Sequence, residues 1–137
     1  MDFKNSTIAI ATDDGTMVSS HFGQAQFYEV LNFSAGKVAR RERRPKAGHQ
    51  SFGPSGSEGD HSGVAHEQRH QTMVSPVLDC QAVVVRGMGQ GAVEHLRRAN
   101  LVPVLTSLHT INEVIEAVAA DSMDNDPRRI HQHHGQH

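Results

Sequence analysis

The sequence has a single cysteine, Cys80, and few aromatic residues, which make up 4% of its 137 residues. One cysteine cannot form a disulfide within the chain, and by itself it cannot build a thiolate-ligated zinc or iron–sulfur site. No apolar run approaches the roughly twenty residues of a membrane-spanning helix, and the polar opening, residues 1–6, lacks the apolar stretch of a signal peptide. We therefore expect a cytoplasmic protein in which any metal depends on ligands other than cysteine.

An excess of charge of one sign is also missing, because 13 basic and 15 acidic side chains leave a formal charge of −2. A nucleic-acid or membrane partner therefore has no electrostatic support. The length fits one domain with one hydrophobic core. What the sequence has in excess is histidine, with eleven residues that lie mostly outside the segments typical of a core.

Short β-branched runs and helical patterns alternate along the chain. Strands are predicted at residues 7–11, 27–33, 37–44, 81–86 and 102–105, the second and third forming a hairpin. Helices are predicted at residues 62–78, 92–99 and 111–118. A strand–helix–strand–helix order in the second half predicts an α/β fold with parallel pairing.

Two stretches have no such pattern. Residues 45–61 are rich in Gly, Ser, Pro and charge, which predicts a mobile loop. Residues 122–137 are charged and then rich in histidine, which predicts a flexible tail. Residues 1–121 are thus expected to form a single domain.

The histidines suggest two kinds of metal chemistry. The segment from His66 to His70 matches H-E-x-x-H, with Glu67 as a general base, so a small zinc hydrolase is one hypothesis. Such an enzyme also needs a third protein ligand, which the nearby sequence does not supply. The alternatives are a solvated polar helix and the capture of Zn, Ni or Cu at His61, His66 and His70. A histidine-rich buffer for divalent metals, working through the tail, is a further hypothesis.

A glycine-rich turn and a loop histidine form a second candidate site. Residues 87–92 (GMGQGA) follow a predicted strand and open a helix, as in dinucleotide-binding loops, but the acidic residue expected after the next strand is missing. Backbone N–H groups at such a helix start favour an anion, although a turn without a ligand is equally compatible. His21 lies in the loop after the first strand, where its spacing alone does not separate a ligand from a surface histidine.

Four segments, taken together and in this order, resemble the dinitrogenase iron-molybdenum cofactor biosynthesis family, with its NifX-, NafY- and NifB-like members. They are residues 8–15 (IAIATDDG), 18–25 (VSSHFGQA), 83–92 (VVVRGMGQGA) and 110–114 (TINEV). The likeness covers roughly residues 6–120. The loop at 45–61 and the tail do not match the family's shared motifs.

The resemblance implies a ribonuclease-H-like three-layer α/β fold with a mixed, mainly parallel five-stranded sheet. It also implies a non-catalytic role: binding an iron–sulfur or molybdenum-containing cluster and carrying it to cofactor-assembly or acceptor proteins. A small stand-alone member, the orange protein, holds a molybdenum–copper sulfide cluster. The histidine of the His-Phe-Gly step is the family's proposed ligand, which carries over to His21. The implied site comprises His21, Phe22, Gly23, Arg86, Gly87, Met88, Gly89, Gln90 and Gly91.

Overall fold

The computed structural model describes residues 2–46 and 74–131. Within them the α-helices are α1 (Gln90–Arg98) and α2 (Ile111–Ala119). The strands are β1 (Thr7–Thr12), β2 (Phe27–Ser34), β3 (Lys37–Pro45), β4 (Ala82–Val85), β5 (Met88–Gly89), β6 (Val102–Leu105) and β7 (Ile130–His131). Short 3₁₀ helices lie at Phe3–Asn5, Phe22–Gln24, Ser75–Val77 and Pro127–Arg129. Neither described helix combines the length and apolar composition needed to cross a bilayer.

The main sheet has the strand order β3-β2-β1-β4-β6. β1 pairs in parallel with β4, and β4 pairs in parallel with β6. β2 is antiparallel to both β1 and β3, so β3 runs in the same direction as β1. Four of the five strands therefore share one direction, which confirms the predicted mixed, mainly parallel sheet.

β1 and β4, which pair with each other inside the sheet, are buried on both faces, and this burial explains their continuous apolar sequences. Ala9, Ala11 and Val83 belong to the core of one face, called here the first face, while Ile8 and Val84 belong to the core of the second. β3, at one edge, is largely exposed and carries Arg40, Arg41, Arg43 and Arg44. Charge on an edge strand discourages pairing with other chains.

The helices cover opposite faces of the sheet. Val93 and Leu96 of α1 pack on the first face, whereas Ile111 and Val114 of α2 pack on the second. α2 begins at a capping box, in which Thr110 and Glu113 each accept a hydrogen bond from the other residue's backbone N–H. The result is the three-layer α/β arrangement expected from the sequence.

Two predicted boundaries differ from the structure. The loop predicted at residues 45–61 begins later, because Pro45 ends β3 and Lys46 is buried; residues 47–61 lie outside the described residues. Of the helix predicted at residues 62–78, only residues 74–78 are described, and Ser75–Val77 form a 3₁₀ helix.

The tail predicted at residues 122–137 is packed against the sheet as far as residue 131, and residues 132–137 lie outside the described part. The Leu105 backbone N–H donates to the Asn125 side chain at 2.9 Å, and the Asn125 amide donates to the Pro103 carbonyl at 3.2 Å. β6 is the last strand on its side of the sheet, so its outer backbone groups need such partners. The polar residues that suggested a flexible tail therefore bind the edge of the sheet.

Candidate functional site

The candidate site lies at the carboxyl edge of the sheet, where β1, β4 and β6 end side by side. In α/β sheets this edge presents loops, rather than regular structure, to a ligand. The chain leaving β1 supplies residues 13–26, and the chain leaving β4 supplies residues 86–89. Both sequence segments singled out above therefore meet at one edge.

Backbone hydrogen bonds join the His-Phe-Gly segment to the glycine turn. The Phe22 N–H donates to the Gly87 carbonyl at 2.9 Å, and the Arg86 N–H donates to the Ser19 carbonyl at 2.9 Å. The Ser19 N–H in turn donates to the Ala11 carbonyl at 2.8 Å, at the end of β1. The segment after β1 thus runs beside the end of β4 and is fixed to it at two points.

His21 is exposed, but its backbone is firmly positioned. The Ser19 hydroxyl donates to the His21 carbonyl at 3.0 Å and accepts from the His21 N–H at 3.2 Å. The Gln24 N–H also donates to the His21 carbonyl, at 3.1 Å, within the 3₁₀ turn that follows. An imidazole on such a fixed backbone can reach a ligand at the surface without a large loss of backbone entropy.

Phe22 is buried beneath this segment and packs on Lys46, a residue that the sequence analysis missed. The Lys46 ammonium donates to the Phe22 carbonyl and lies 4.2 Å from the Phe22 ring centroid and 5.8 Å from that of Tyr28. Lys46 is 1% exposed, and this burial lowers its pKa to about 8, with the charge of Asp13 partly offsetting the effect. A lone lysine after Pro45 gives no sequence signal of this position.

The glycine turn leaves room around its backbone. Gly87 and Met88 are buried, Gly89 and Gln90 are half-buried, and Gly91 is exposed. A Cβ added at Gly89 would meet no heavy atom of the described residues within 4 Å. The same holds for Gly23.

Gly89 is also the N-cap of α1, where it offers no side chain to cap the helix. The N–H groups of the first helical turn have no acceptor within the helix, so a bound anion could accept from those that the pairing with β7 does not engage. The openness at Gly89 and the helix start are consistent with an anionic group approaching the backbone closely.

Two arginines lie close to the glycine turn along the backbone, Arg86 directly before it and Arg129 directly before the strand that pairs with it. Arg86 is half-buried, and its Nε atom is inaccessible to solvent and has no hydrogen-bond partner within the described part of the chain. The same is true of Nε of Arg129, the residue just before β7, whose Ile130 pairs with Met88 of β5. Arg86 is among the residues expected at the site from the sequence, whereas Arg129 is not, because residues 122–137 are predicted to form a flexible tail.

Within the described residues, the donors do not form a site in which protein ligands alone could hold a bare cation. No group of three or more His, Cys, Asp or Glu residues that could hold a metal ion is found in residues 2–46 and 74–131. Cys80 is buried before β4, at the opposite edge of the sheet, and burial together with the Asp79 charge raises its thiol pKa to about 12. The predicted ligands His61, His66 and His70, and the H-E-x-x-H segment with them, lie outside the described residues.

Solved structures similar to this chain share its fold. A putative dinitrogenase, MJ0327 from Methanocaldococcus jannaschii, is 10% identical, with 90% of this chain and 96% of that one covered and a TM-score of 0.56. The apo orange protein from Desulfovibrio gigas is 16% identical, with 88% and 92% covered and a TM-score of 0.57. A putative NifB protein from Thermotoga is 19% identical, with the same coverage and a TM-score of 0.56. At these identities the likeness establishes the fold, which confirms the predicted fold class.

The family model for the dinitrogenase iron-molybdenum cofactor matches residues 4–121. The chain belongs to this family, and the resemblance drawn from the four sequence segments is confirmed. No curated protein matches the chain. Nothing in these comparisons supports the zinc hydrolase.

Proposed function

We propose that this protein binds an iron–sulfur or molybdenum-containing metal–sulfide cluster and passes it to an assembly or acceptor protein, without catalytic turnover. The site would consist of His21–Gly23 and Arg86–Gly91. The observation that carries the proposal is the hydrogen bond from the Phe22 N–H to the Gly87 carbonyl, which places the segment bearing the exposed imidazole beside the glycine turn. Membership of a family named for the iron-molybdenum cofactor supports this class of cargo. The cytoplasmic location expected from the sequence stays a prediction.

A metal–sulfide cluster suits this donor set because it brings its own sulfide ligands and carries negative charge. The protein then has to supply only a few bonds. His21 can ligate a metal at the rim of the cluster, while the N–H groups at the start of α1 and the Arg86 guanidinium can donate to sulfide. A cluster is also larger than a single ion, so the open backbone at Gly23 and Gly89 gives it room.

The exposure of the site suits a carrier better than a permanent holder. A resident cofactor is usually enclosed by its protein, whereas here His21, Gly23 and Gly91 are all exposed. Cargo bound on a surface can be taken by a second protein without unfolding the first. The cargo is either an iron-containing cluster or, as the orange-protein resemblance suggests, a molybdenum–copper sulfide.

The test is reconstitution of the purified chain with tetrathiomolybdate and copper and, in parallel, with iron and sulfide, followed by metal analysis and visible spectroscopy. We expect His21→Ala to reduce bound cluster at least tenfold. His109→Ala is the matched control, because His109 is an exposed histidine in another loop of the same edge. If His21→Ala retains as much of each cluster as the wild type, the ligand assignment is wrong.

Gly89→Ala tests the glycine turn separately. Its Cβ meets no described atom within 4 Å, and the weaker N-cap preference of Ala is opposed by its lower entropy in the unfolded chain, so the free energy of unfolding should change by less than about 1 kcal/mol. A methyl group there would nevertheless occupy the space into which we place the cluster, and we expect weaker binding. Unchanged binding by a stable Gly89→Ala variant would exclude close contact between the cluster and this turn.

A further inference from the structure

The segment after residue 121 lies beyond the part of the chain that matches the family, yet it returns to the candidate site. β7 pairs in parallel with β5, aligning Ile130 with Met88 and His131 with Gly89. β5 also contacts the 3₁₀ turn at Phe22–Gln24. The glycine turn thus lies against both the His-Phe-Gly segment and the C-terminal segment.

Specific contacts hold this C-terminal segment, defined here as residues 124–131, in place. The Asp124 carboxylate accepts from the Thr106 hydroxyl at 2.5 Å and from the Ser107 N–H at 3.0 Å. The Asp126 N–H donates to the Leu105 carbonyl at 2.8 Å. The Ile130 side chain packs against the core of the first face. The segment is therefore anchored at both ends, to the end of β6 and to β5.

Arg129 lies between these two anchors. The preceding arginine, Arg128, is exposed and forms an ion pair with Asp126 at 3.0 Å, whereas Nε of Arg129 is buried without a hydrogen-bond partner in the described residues. Nε of Arg86, the residue directly before the glycine turn, is likewise buried without a hydrogen-bond partner in the described residues. A buried donor without a partner costs free energy, which a bound acceptor would recover.

We propose that the C-terminal segment forms a wall of the cluster site and that Arg129 acts with Arg86 as a pair of cationic donors. This inference rests on the proposed function and narrows it: the pair selects an anionic ligand, a thiometallate or the corresponding oxyanion, over a bare divalent cation. Guanidinium groups suit this role because they stay charged and donate in a fixed planar geometry. Two of them beside the N–H groups of a helix start attract an anion more strongly than either does alone.

The test measures binding of tetrathiomolybdate and, separately, of molybdate to the full chain by calorimetry. Amide NMR signals of Gly89 and Ile130 are followed in the same titrations. We expect Arg129→Gln to weaken binding of both anions about tenfold, consistent with loss of one charge-assisted hydrogen bond, and Arg129→Lys to weaken it less. Arg98→Gln, which removes the same charge from an exposed position in α1, should bind like the wild type. Nε of Arg129 has no hydrogen-bond partner to lose among the described residues. Beside the hydrogen bonds from the preceding arginine, however, the Arg129 charge helps to lower the pKa of the Asp126 carboxyl. Arg129→Gln should therefore stay folded at the titration temperature and melt slightly below the wild type.

The outcomes separate this inference from the proposed function. If cluster binding depends on His21 but Arg129→Gln binds as tightly as Arg98→Gln, the function stands and the arginine pair is refuted. A second outcome is that no cluster is reconstituted, yet both anions shift the Gly89 and Ile130 signals in the wild type and not in Arg129→Gln. The arginine pair is then supported and the proposed function is refuted. If neither anion binds the wild type, the arginine pair is refuted; if reconstitution also yields no bound cluster, the proposed function is refuted as well.

Discussion

Lys46 should make the stability of this protein rise with pH in a range where other groups lower it. Burial lowers its pKa from 10.5 to about 8 in the folded state. Between these values the unfolded chain holds a proton that the folded protein has released, so raising the pH favours folding. Below about pH 8 the buried, protonated Lys46 ammonium lowers the free energy of unfolding by its full amount. This destabilisation is relieved as the pH rises toward the pKa of the unfolded chain.

The expected gain is about 2.5 kcal/mol between pH 7 and pH 10, from the linkage of one proton over this pKa difference. Two other groups work in the opposite direction. Burial raises the pKa of the Cys80 thiol from 9.0 to about 12 and also raises that of the Tyr28 hydroxyl, so each ionises earlier in the unfolded chain. The wild-type curve alone will therefore hide much of the Lys46 contribution.

Comparison with Lys46→Met removes this interference, because Cys80 and Tyr28 are common to both proteins. Urea unfolding is measured at each pH unit from 7 to 10, and the free energy of unfolding of the variant is subtracted from that of the wild type. The difference should rise by about 2.5 kcal/mol, whatever constant offset comes from the lost hydrogen bond to the Phe22 carbonyl. Lys37→Met, at an exposed position of β3, should give a flat difference. A flat difference for Lys46→Met as well would refute the argument that burial destabilises the Lys46 ammonium.

Three further substitutions test the packing around the site. Thr110→Ala breaks the capping box with Glu113 and should lower the free energy of unfolding by about 1 kcal/mol in urea denaturation; an unchanged midpoint would mean that α2 does not need its cap. Gly15→Ala should cost about 1 kcal/mol in the same assay, chiefly because φ is +80° there, since the Arg43 guanidinium that the new Cβ would meet can move. Asp124→Ala removes the acceptor for two donors at the end of β6 and should cost about 1–3 kcal/mol, with faster amide exchange at β7; equal exchange rates would show that β7 is held independently.

Local sequence patterns were sufficient to predict most strands and both described α-helices. The β-branched run at residues 82–85 and the alternation at residues 27–33 predict strands because side-chain burial follows the period of the backbone. The apolar spacing of residues 111–118 predicts α2 for the same reason. These patterns depend on residues close together in the chain, so they can be identified without knowing the tertiary fold.

The candidate site was predictable only in pieces. His21 and the glycine turn could each be singled out from the sequence, but their contact through Phe22 and Gly87 depends on the parallel pairing of β1 with β4. The spacing of residues along the sequence does not show which strands become neighbours in the sheet. The role of His21 as a ligand remains a prediction.

The sequence by itself determined the class of fold and the family, because local periodicity and ordered motifs indicate both, and it also supplied the two segments that we propose as the cluster site. Only the tertiary structure decided that Lys46 is buried against Phe22 and that the chain directly after Arg129 pairs with the glycine turn. Lys46 and Arg129 are both charged residues in polar stretches of the sequence, and such residues are usually exposed. Their burial follows from distant elements: the rings of Phe22 and Tyr28 that pack against Lys46, and the free edge of β6 that binds the C-terminal segment.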